Sequence, residues 1–194
     1  MLKEKLKNYS IILASGSPRR QQFFNDLNLD FEIRLKQVEE VYPDHLQGVE
    51  ITNYLAELKA KAFDNEIESN EIVITSDTIV WFENRALGKP KNYEDAFTML
   101  QSMSGKTHEV ITSVCFKSKE NLKTIHETTL VTFQAFSDTA IHFYLEKYKP
   151  FDKAGAYGIQ DWIGLIGIAR IDGSYTNVVG MPTHLVYQYF ENLT

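Results

Sequence analysis

The chain has 194 residues, 43% of them apolar and 12% aromatic, which suits one domain with a substantial core and excludes a disordered chain. A formal net charge of −6 argues against a general nucleic-acid coat, which needs clustered Lys and Arg, so no stable nucleic-acid partner is expected. One cysteine, Cys115, rules out a disulfide framework within the chain, and in Val114-Cys115-Phe116 it reads as a small buried residue of a strand.

In chain order, Lys3, Lys5 and Lys7 precede the apolar run Ile11-Ile12-Leu13-Ala14. That run is far shorter than the about 7–15 residues of a secretory core, and nothing reaches the ~18 apolar residues of a membrane span. A cytoplasmic protein with no membrane partner is the expectation. Ile11 to Ala14 reads as a short buried strand. Ser15-Gly16-Ser17 turns the chain, with Ser17 as N-cap and Pro18 at the first position of a helix whose apolar face is Phe23, Phe24 and Leu27. Phe31 to Leu35 alternates like a strand.

Ile51, Tyr54, Leu55, Leu58 and Ala62 recur at helical spacing, with Lys59 and Lys61 beside the stripe. Ile72-Val73-Ile74 reads as a buried strand ending at Ser76-Asp77, with Thr78 to Phe82 either continuing it or bending away. Asn92 and Asp95 form a capping pattern ahead of Ala96, Met99, Leu100 and Met103, and Gly105 closes that helix. Val110 to Phe116 and Leu130 to Phe136 read as strands. Ser137 caps a helix bearing Ile141, Leu145 and Tyr148. Gly164 to Ile171 reads as a Gly-containing strand, and Thr183 to Phe190 as a final helix. Alternating strands and helices, with some strands adjacent in sequence, predict an α/β fold on a mixed sheet.

Several segments carry candidate chemistry. In Leu13-Ala14-Ser15-Gly16-Ser17-Pro18-Arg19-Arg20 a strand turns into a helix with two arginines in its first turn. Helix N-termini attract anions, and first turns ordinarily carry acids. Arginines there make sense with a phosphate in front of them; solvated surface arginines are the alternative. Asp77, at the predicted strand end, suits metal coordination or water activation, or else a turn cap. Lys89 in Leu87-Gly88-Lys89-Pro90 is a point charge in a stiff loop, suited to phosphate or simply exposed. Glu39-Glu40 is either a solvated acidic face or, with Asp77, a Mg²⁺ site. Asp152-Lys153-Ala154-Gly155-Ala156-Tyr157-Gly158-Ile159-Gln160 combines small residues with a terminal amide able to pair with a nucleobase edge. A tight structural loop is its other reading. Ser104-Gly105-Lys106-Thr107 mimics a P-loop tail, but the required earlier glycine falls on Leu100 and the segment follows a helix. It reads as a helix C-cap. His45, His108, His126, His142 and His184 lack metal-site spacing, although His108 is placed to border a cleft.

Taken together, LASGSPRR at 13–20, SDTIV at 76–80, LGKP at 87–90, SGKTHEV at 104–110, DKAGAYGIQ at 152–160 and GSYTNVVGMP at 173–182 resemble the Maf family of nucleotide pyrophosphatases. The segments fall in the family's order and span nearly the whole chain. The resemblance implies one Maf/inosine-triphosphatase-like domain over residues 1–194, with an elongated mixed sheet flanked by helices and two lobes around a central cleft. It implies hydrolysis of a nucleoside triphosphate between the α and β phosphates with a divalent cation, Mg²⁺ or Mn²⁺. Ser15, Arg19, Arg20, Lys59 and Lys89 then map to phosphate binding. Glu40 and Asp77 map to the metal, and Asp77 to the proton acceptor. Arg20, Thr78 and Gln160 match the branch acting on dTTP and UTP and differ from the branch acting on 7-methyl-GTP. Asp161-Trp162 departs from the family, where glycine commonly follows the Gln, and bears on the base pocket. The acidic surface argues for solubility, and a homodimer is left open by the sequence. A nucleotide-binding regulator of cell division, or a pyrophosphatase for modified nucleotides, are the competing functions.

Overall fold

The computed structural model describes residues 2–193. A short helix α1 (Leu2–Leu6) precedes strand β1 (Ser10–Leu13), helix α2 (Pro18–Asp26) and a two-residue strand β2 (Glu32–Ile33). Helix α3 (Val49–Lys61), strand β3 (Glu71–Phe82), strand β4 (Arg85–Leu87) and helix α4 (Tyr93–Met103) follow. Strands β5 (Thr107–Lys117) and β6 (Leu122–Phe133) lead to helix α5 (Asp138–Tyr148) and a 3₁₀ turn at Ala154–Ala156. Helix α6 (Trp162–Gly167), strand β7 (Ile168–Asp172) and helices α7 (Tyr175–Val179) and α8 (Thr183–Glu191) complete the chain.

The strands form one seven-stranded sheet in the order β2-β1-β3-β5-β6-β7, with β4 pairing β3. β1 is parallel to β2 and β3, whereas β3–β4 and β6–β7 are antiparallel, so the sheet is mixed as expected. The β3–β4 hairpin turns on Glu83 and Asn84, both left-handed (φ 48° and 59°), the backbone of the tight turn that matches strand twist. Among the described residues no helix is long and apolar enough to cross a membrane.

The chain divides into two compact units. Within the described residues the first takes 2–77, 112–127 and 180–193. Its core follows from strand alternation. Ile11 and Leu13 of β1, with Ile72 and Ile74 of β3, pack with Phe24, Val114, Phe116, Val186 and Phe190. Ile12 and Val73, pointing the other way, pack with Phe63 and Ile67. Cys115 lies buried against Ala56 and Ala60. The second unit takes 78–111 and 128–179, around Val80, Leu100, Val110, Phe133, Ile141, Tyr144, Tyr157 and Ile163.

Several elements differ from the sequence reading. β3 runs unbroken through Asp77 to Phe82, so Asp77 is mid-strand. β6 begins earlier than Leu130 and ends earlier than Phe136. Residues Trp162–Gly167 form a helix, and only Ile168–Asp172 is strand. That helix packs closely in a way the apolar pattern hides: a Cβ on Gly164 would lie 1.9 Å from the Ile159 carbonyl oxygen. On α3 the buried stripe is Ile51, Thr52, Leu55, Ala56 and Ala60, while Tyr54 is 38% exposed. Small residues turn toward the sheet because they allow the helix to approach it closely. Asn92 and Ser137 cap α4 and α5 as expected, accepting from the Asp95 and Ala140 amides. Ser17 occupies the N-cap position of α2 and Pro18 the first turn, but the Ser17 side chain makes no capping bond.

Candidate active site

In β3 the alternation that buries Ile72 and Ile74 on one face sends Val73, Thr75 and Asp77 to the other. Thr75 Oγ1 donates to the Ala56 carbonyl at 2.6 Å, locking that face onto α3. Lys59 lies three residues beyond Ala56, on the same side of the helix. Its ammonium donates to Asp77 Oδ1 at 2.6 Å and lies 3.0 Å from Glu40 Oε1. Glu40 reaches this point through a tethered segment. Arg34 forms a two-pronged pair with Glu71 at 3.2 and 2.8 Å, and Lys36 donates to the Ala62 carbonyl at 2.8 Å. Glu40 is half-exposed, whereas Asp77 is only 7% exposed; Glu39 faces solvent.

Ser15 is buried where the chain turns after β1, with Ala14 still donating to Ile74 at 2.8 Å. Its Oγ accepts from the Ser17 amide at 3.3 Å, and its carbonyl from Gln21 Nε2 at 3.2 Å. The turn is therefore held from within α2. Arg20 Nε donates to the Gly180 carbonyl at 2.9 Å and its Nη1 to the Ser76 carbonyl at 2.8 Å. The guanidinium is thus fixed by main chain next to Asp77, which the exposed-arginine alternative did not foresee.

The charges feel one another. Burial is the largest influence on Asp77 and raises its pKa; Lys59 and Arg20 pull it down and Glu40 pushes it up. Burial likewise lowers the Arg20 pKa, Asp77 and Glu40 oppose that shift, and Arg19 adds to it. Within the first unit the structure therefore brings together Arg19, Arg20, Glu40, Lys59 and Asp77.

The remaining candidates belong to the second unit. Thr78 follows Asp77 in β3, so its side chain leaves the opposite face of the strand. Lys89 is exposed beside buried Pro90. The preceding Gly88 carbonyl accepts from the Gly155 amide at 3.0 Å, which joins the LGKP and DKAGAYGIQ segments. Gly155 itself is left-handed (φ 66°), and a Cβ there would lie 2.7 Å from Val80 Cγ2, so both conformation and space require glycine. Gln160 is exposed at the end of this segment.

His108 does not border an opening; it is 2% exposed. Its Nε2 hydrogen-bonds the Tyr157 hydroxyl at 2.7 Å, its ring packs on Phe133, and burial lowers its pKa to about 4. Ser104–Lys106 forms the end of α4 and the entry to β5, as a helix C-cap should. Sequence reasoning missed Tyr144 altogether. Its hydroxyl donates to Asp161 Oδ2 at 2.8 Å and accepts from the Gly158 amide at 3.1 Å. The unusual Asp161 was the one visible signal of that arrangement.

Comparison with known proteins places the chain in a family. The sequence matches the family described as Maf-like protein over residues 10–193. A protein of Flavobacterium johnsoniae named dTTP/UTP pyrophosphatase is 65% identical over 193 residues, covering 100% of both chains. Its namesake in Christiangramia forsetii is 54% identical over 193 residues, covering 100% of this chain and 98% of its own. Among solved structures, the Staphylococcus aureus Ham1 protein superimposes with a TM-score of 0.54 at 17% identity, covering 94% of this chain and 98% of that one; this supports the fold alone. With its motif segments in order and a full-length match to such relatives, the chain belongs to the Maf family.

Proposed function

We propose that this chain hydrolyses dTTP and UTP between the α and β phosphates, releasing the nucleoside monophosphate and pyrophosphate. The observation that carries the reading is the double ion pair of Lys59 with Glu40 and Asp77, beside a guanidinium held by main chain. Full-length relatives named dTTP/UTP pyrophosphatase support the choice of substrate.

In this reading Asp77 is the general base. Burial raises its pKa, which strengthens it as a proton acceptor. Lys59 holds Oδ1 and so orients the carboxylate, and the second oxygen is assigned to the attacking water. Ser15, Arg19, Arg20, Lys59 and Lys89 are assigned to the phosphates, whose charge otherwise repels the nucleophile. A cation fixed before substrate arrives costs little reorganisation during reaction, and Arg20 meets that requirement. Arg20, Thr78 and Gln160 are assigned to pyrimidine recognition. The Gln160 amide offers the donor and acceptor that complement O4 and N3–H of uracil and thymine.

A divalent cation, Mg²⁺ or Mn²⁺, belongs to this reading, with Glu40 and Asp77 as its protein ligands. The donor set fits, because Mg²⁺ usually takes one or two carboxylates plus phosphate oxygens and water. Lys59 sits between the two acids, a spot that attracts positive charge, which supports a cation there. Among the described residues no three His, Cys, Asp or Glu side chains gather into a protein-only cage. When bound, the cation neutralises phosphate charge and draws electron density from phosphorus.

The test is pyrophosphate release from dTTP, UTP, CTP, GTP, 7-methyl-GTP and modified pyrimidine triphosphates with Mg²⁺. Turnover of dTTP and UTP at least roughly tenfold above CTP and GTP is expected. Release from none of them overturns hydrolysis and leaves nucleotide binding; preference for a modified or methylated nucleotide reassigns the substrate.

A further inference from the structure

We propose that Tyr144 is a positioning residue for nucleobase selection: its hydroxyl ties together the two ends of the turn that presents Gln160. This rests on the assignment of Gln160 to the base, and adds to it the device that holds the amide in place.

The geometry begins with the turn. The Asp161 amide donates to the Gly158 carbonyl at 3.0 Å, so Gly158-Ile159-Gln160-Asp161 is a hydrogen-bonded four-residue turn. Ile159 is buried in the second unit's core, and Gln160 next to it is exposed. One corner of the turn is thus an anchor, and the other displays an amide.

A turn closed by one main-chain bond still frays. Here Tyr144, fully buried on α5, adds a second closure. Its hydroxyl accepts from the Gly158 amide at 3.1 Å and donates to Asp161 Oδ2 at 2.8 Å. One oxygen thereby bridges the first and last residues of the turn. Lys153 Nζ lies 3.8 Å from the same carboxylate oxygen and 2.9 Å from Asp152 Oδ1, keeping positive charge beside the acid. From the other side α6 leaves no slack, since Gly164 lies directly against the Ile159 carbonyl.

Asp161 explains its own presence in this arrangement. Glycine at that place supplies no acceptor for the Tyr144 proton, whereas a carboxylate gives a charge-assisted bond, stronger than a neutral one. A side-chain amide aimed within a fraction of an ångström discriminates between O4/N3–H of uracil and the reversed pattern of cytosine; a wandering amide meets either. Selection against CTP is therefore the property most sensitive to the clamp.

The experiment compares wild type, Tyr144→Phe, Asp161→Gly and Gln160→Ala by the UTP-to-CTP ratio of kcat/KM. Amide hydrogen exchange across residues 158–161 is followed in parallel. Tyr144→Phe is expected to lower the ratio about tenfold, mainly through KM for UTP, with kcat changed by less than about threefold. Exchange at the Gly158 and Asp161 amides should rise about tenfold in the same variant. Asp161→Gly should lower the ratio in the same direction, and serves alone if Tyr144→Phe does not fold. If Gln160→Ala collapses the ratio but both clamp variants keep it, Tyr144 does not position the amide and the proposal is overturned while base reading stands. If Gln160→Ala itself leaves the ratio unchanged, base reading by that residue is overturned, and the selectivity role of the clamp with it.

Discussion

Asp77 is the proposed base, and burial disfavours its ionised form in the folded chain. Burial lifts its pKa above the ordinary 3.8, so the native state holds the proton more tightly than the unfolded chain. Its contribution to stability is therefore fully present below about pH 3.8 and is lost as pH rises through the raised value. At neutral pH the ionised carboxylate is a net cost, even with Lys59 beside it. Asp77→Asn should accordingly melt higher than wild type at pH 7.5, with the gain shrinking in acid, while turnover falls about 10²–10⁴-fold. A lower melting temperature at pH 7.5 would mean that attraction to Lys59 and Arg20 outweighs burial. His108 has the opposite sign. Its pKa falls from 6.5 to about 4, so its neutral ring supports the fold fully above pH 6.5 and loses that support as pH drops toward 4. The gap corresponds to about 3 kcal/mol. Urea melts should show His108→Gln losing less stability than wild type between pH 7 and pH 4.5; equal slopes would assign the acid sensitivity elsewhere.

Among the elements, α6 is the most demanding of its neighbours. Gly164→Ala forces a methyl group onto the Ile159 carbonyl and should cost about 2–3 kcal/mol, measurable by denaturant midpoint. A near-neutral midpoint would mean that α6 moves freely off the 158–161 turn. This element also marks the limit of what the sequence displays. Gly-Leu-Ile-Gly-Ile is too short for its periodicity to separate helix from strand, and the deciding contacts with Ile159 and Phe136 are tertiary. α4 and α5 were legible because Asn92 and Ser137 declare their starts locally. The first half of β6 was not, since Leu122 to Thr129 is mostly polar and, apart from Thr129, not buried. α1 and α7, at five residues each, give no periodic signal. The candidate site divides along the same line. Arg19, Arg20, Asp77 and the Glu39-Glu40 pair drew attention through local context, whereas the role of Lys59 came only through family resemblance. The Lys59–Asp77 ion pair depends on β3 packing against α3, which no local pattern encodes. Tyr144 was invisible because a tyrosine on a helix face does not announce what its hydroxyl will meet.

Across the whole molecule, neither compact unit is a single stretch of chain. The first is assembled from three segments, and its core draws on Phe24 near the start, Phe116 in the middle and Phe190 near the end. Phe190 is fully buried and meets Phe116 edge-on with ring centres 5.8 Å apart. Phe190→Ala should cost about 3–5 kcal/mol, read by urea denaturation. A loss under about 1 kcal/mol would show that the core closes without α8. That late contribution bears on how the protein is made. On the ribosome, β1, α2 and β3 emerge long before Val186 and Phe190 exist, so β1 and β3 wait with their apolar faces uncovered until α8 has been made. Ribosomes stalled before residue 183 should therefore carry nascent chains whose first segment is open to chaperones and proteases, and the emergence of α8 is the event that shuts it.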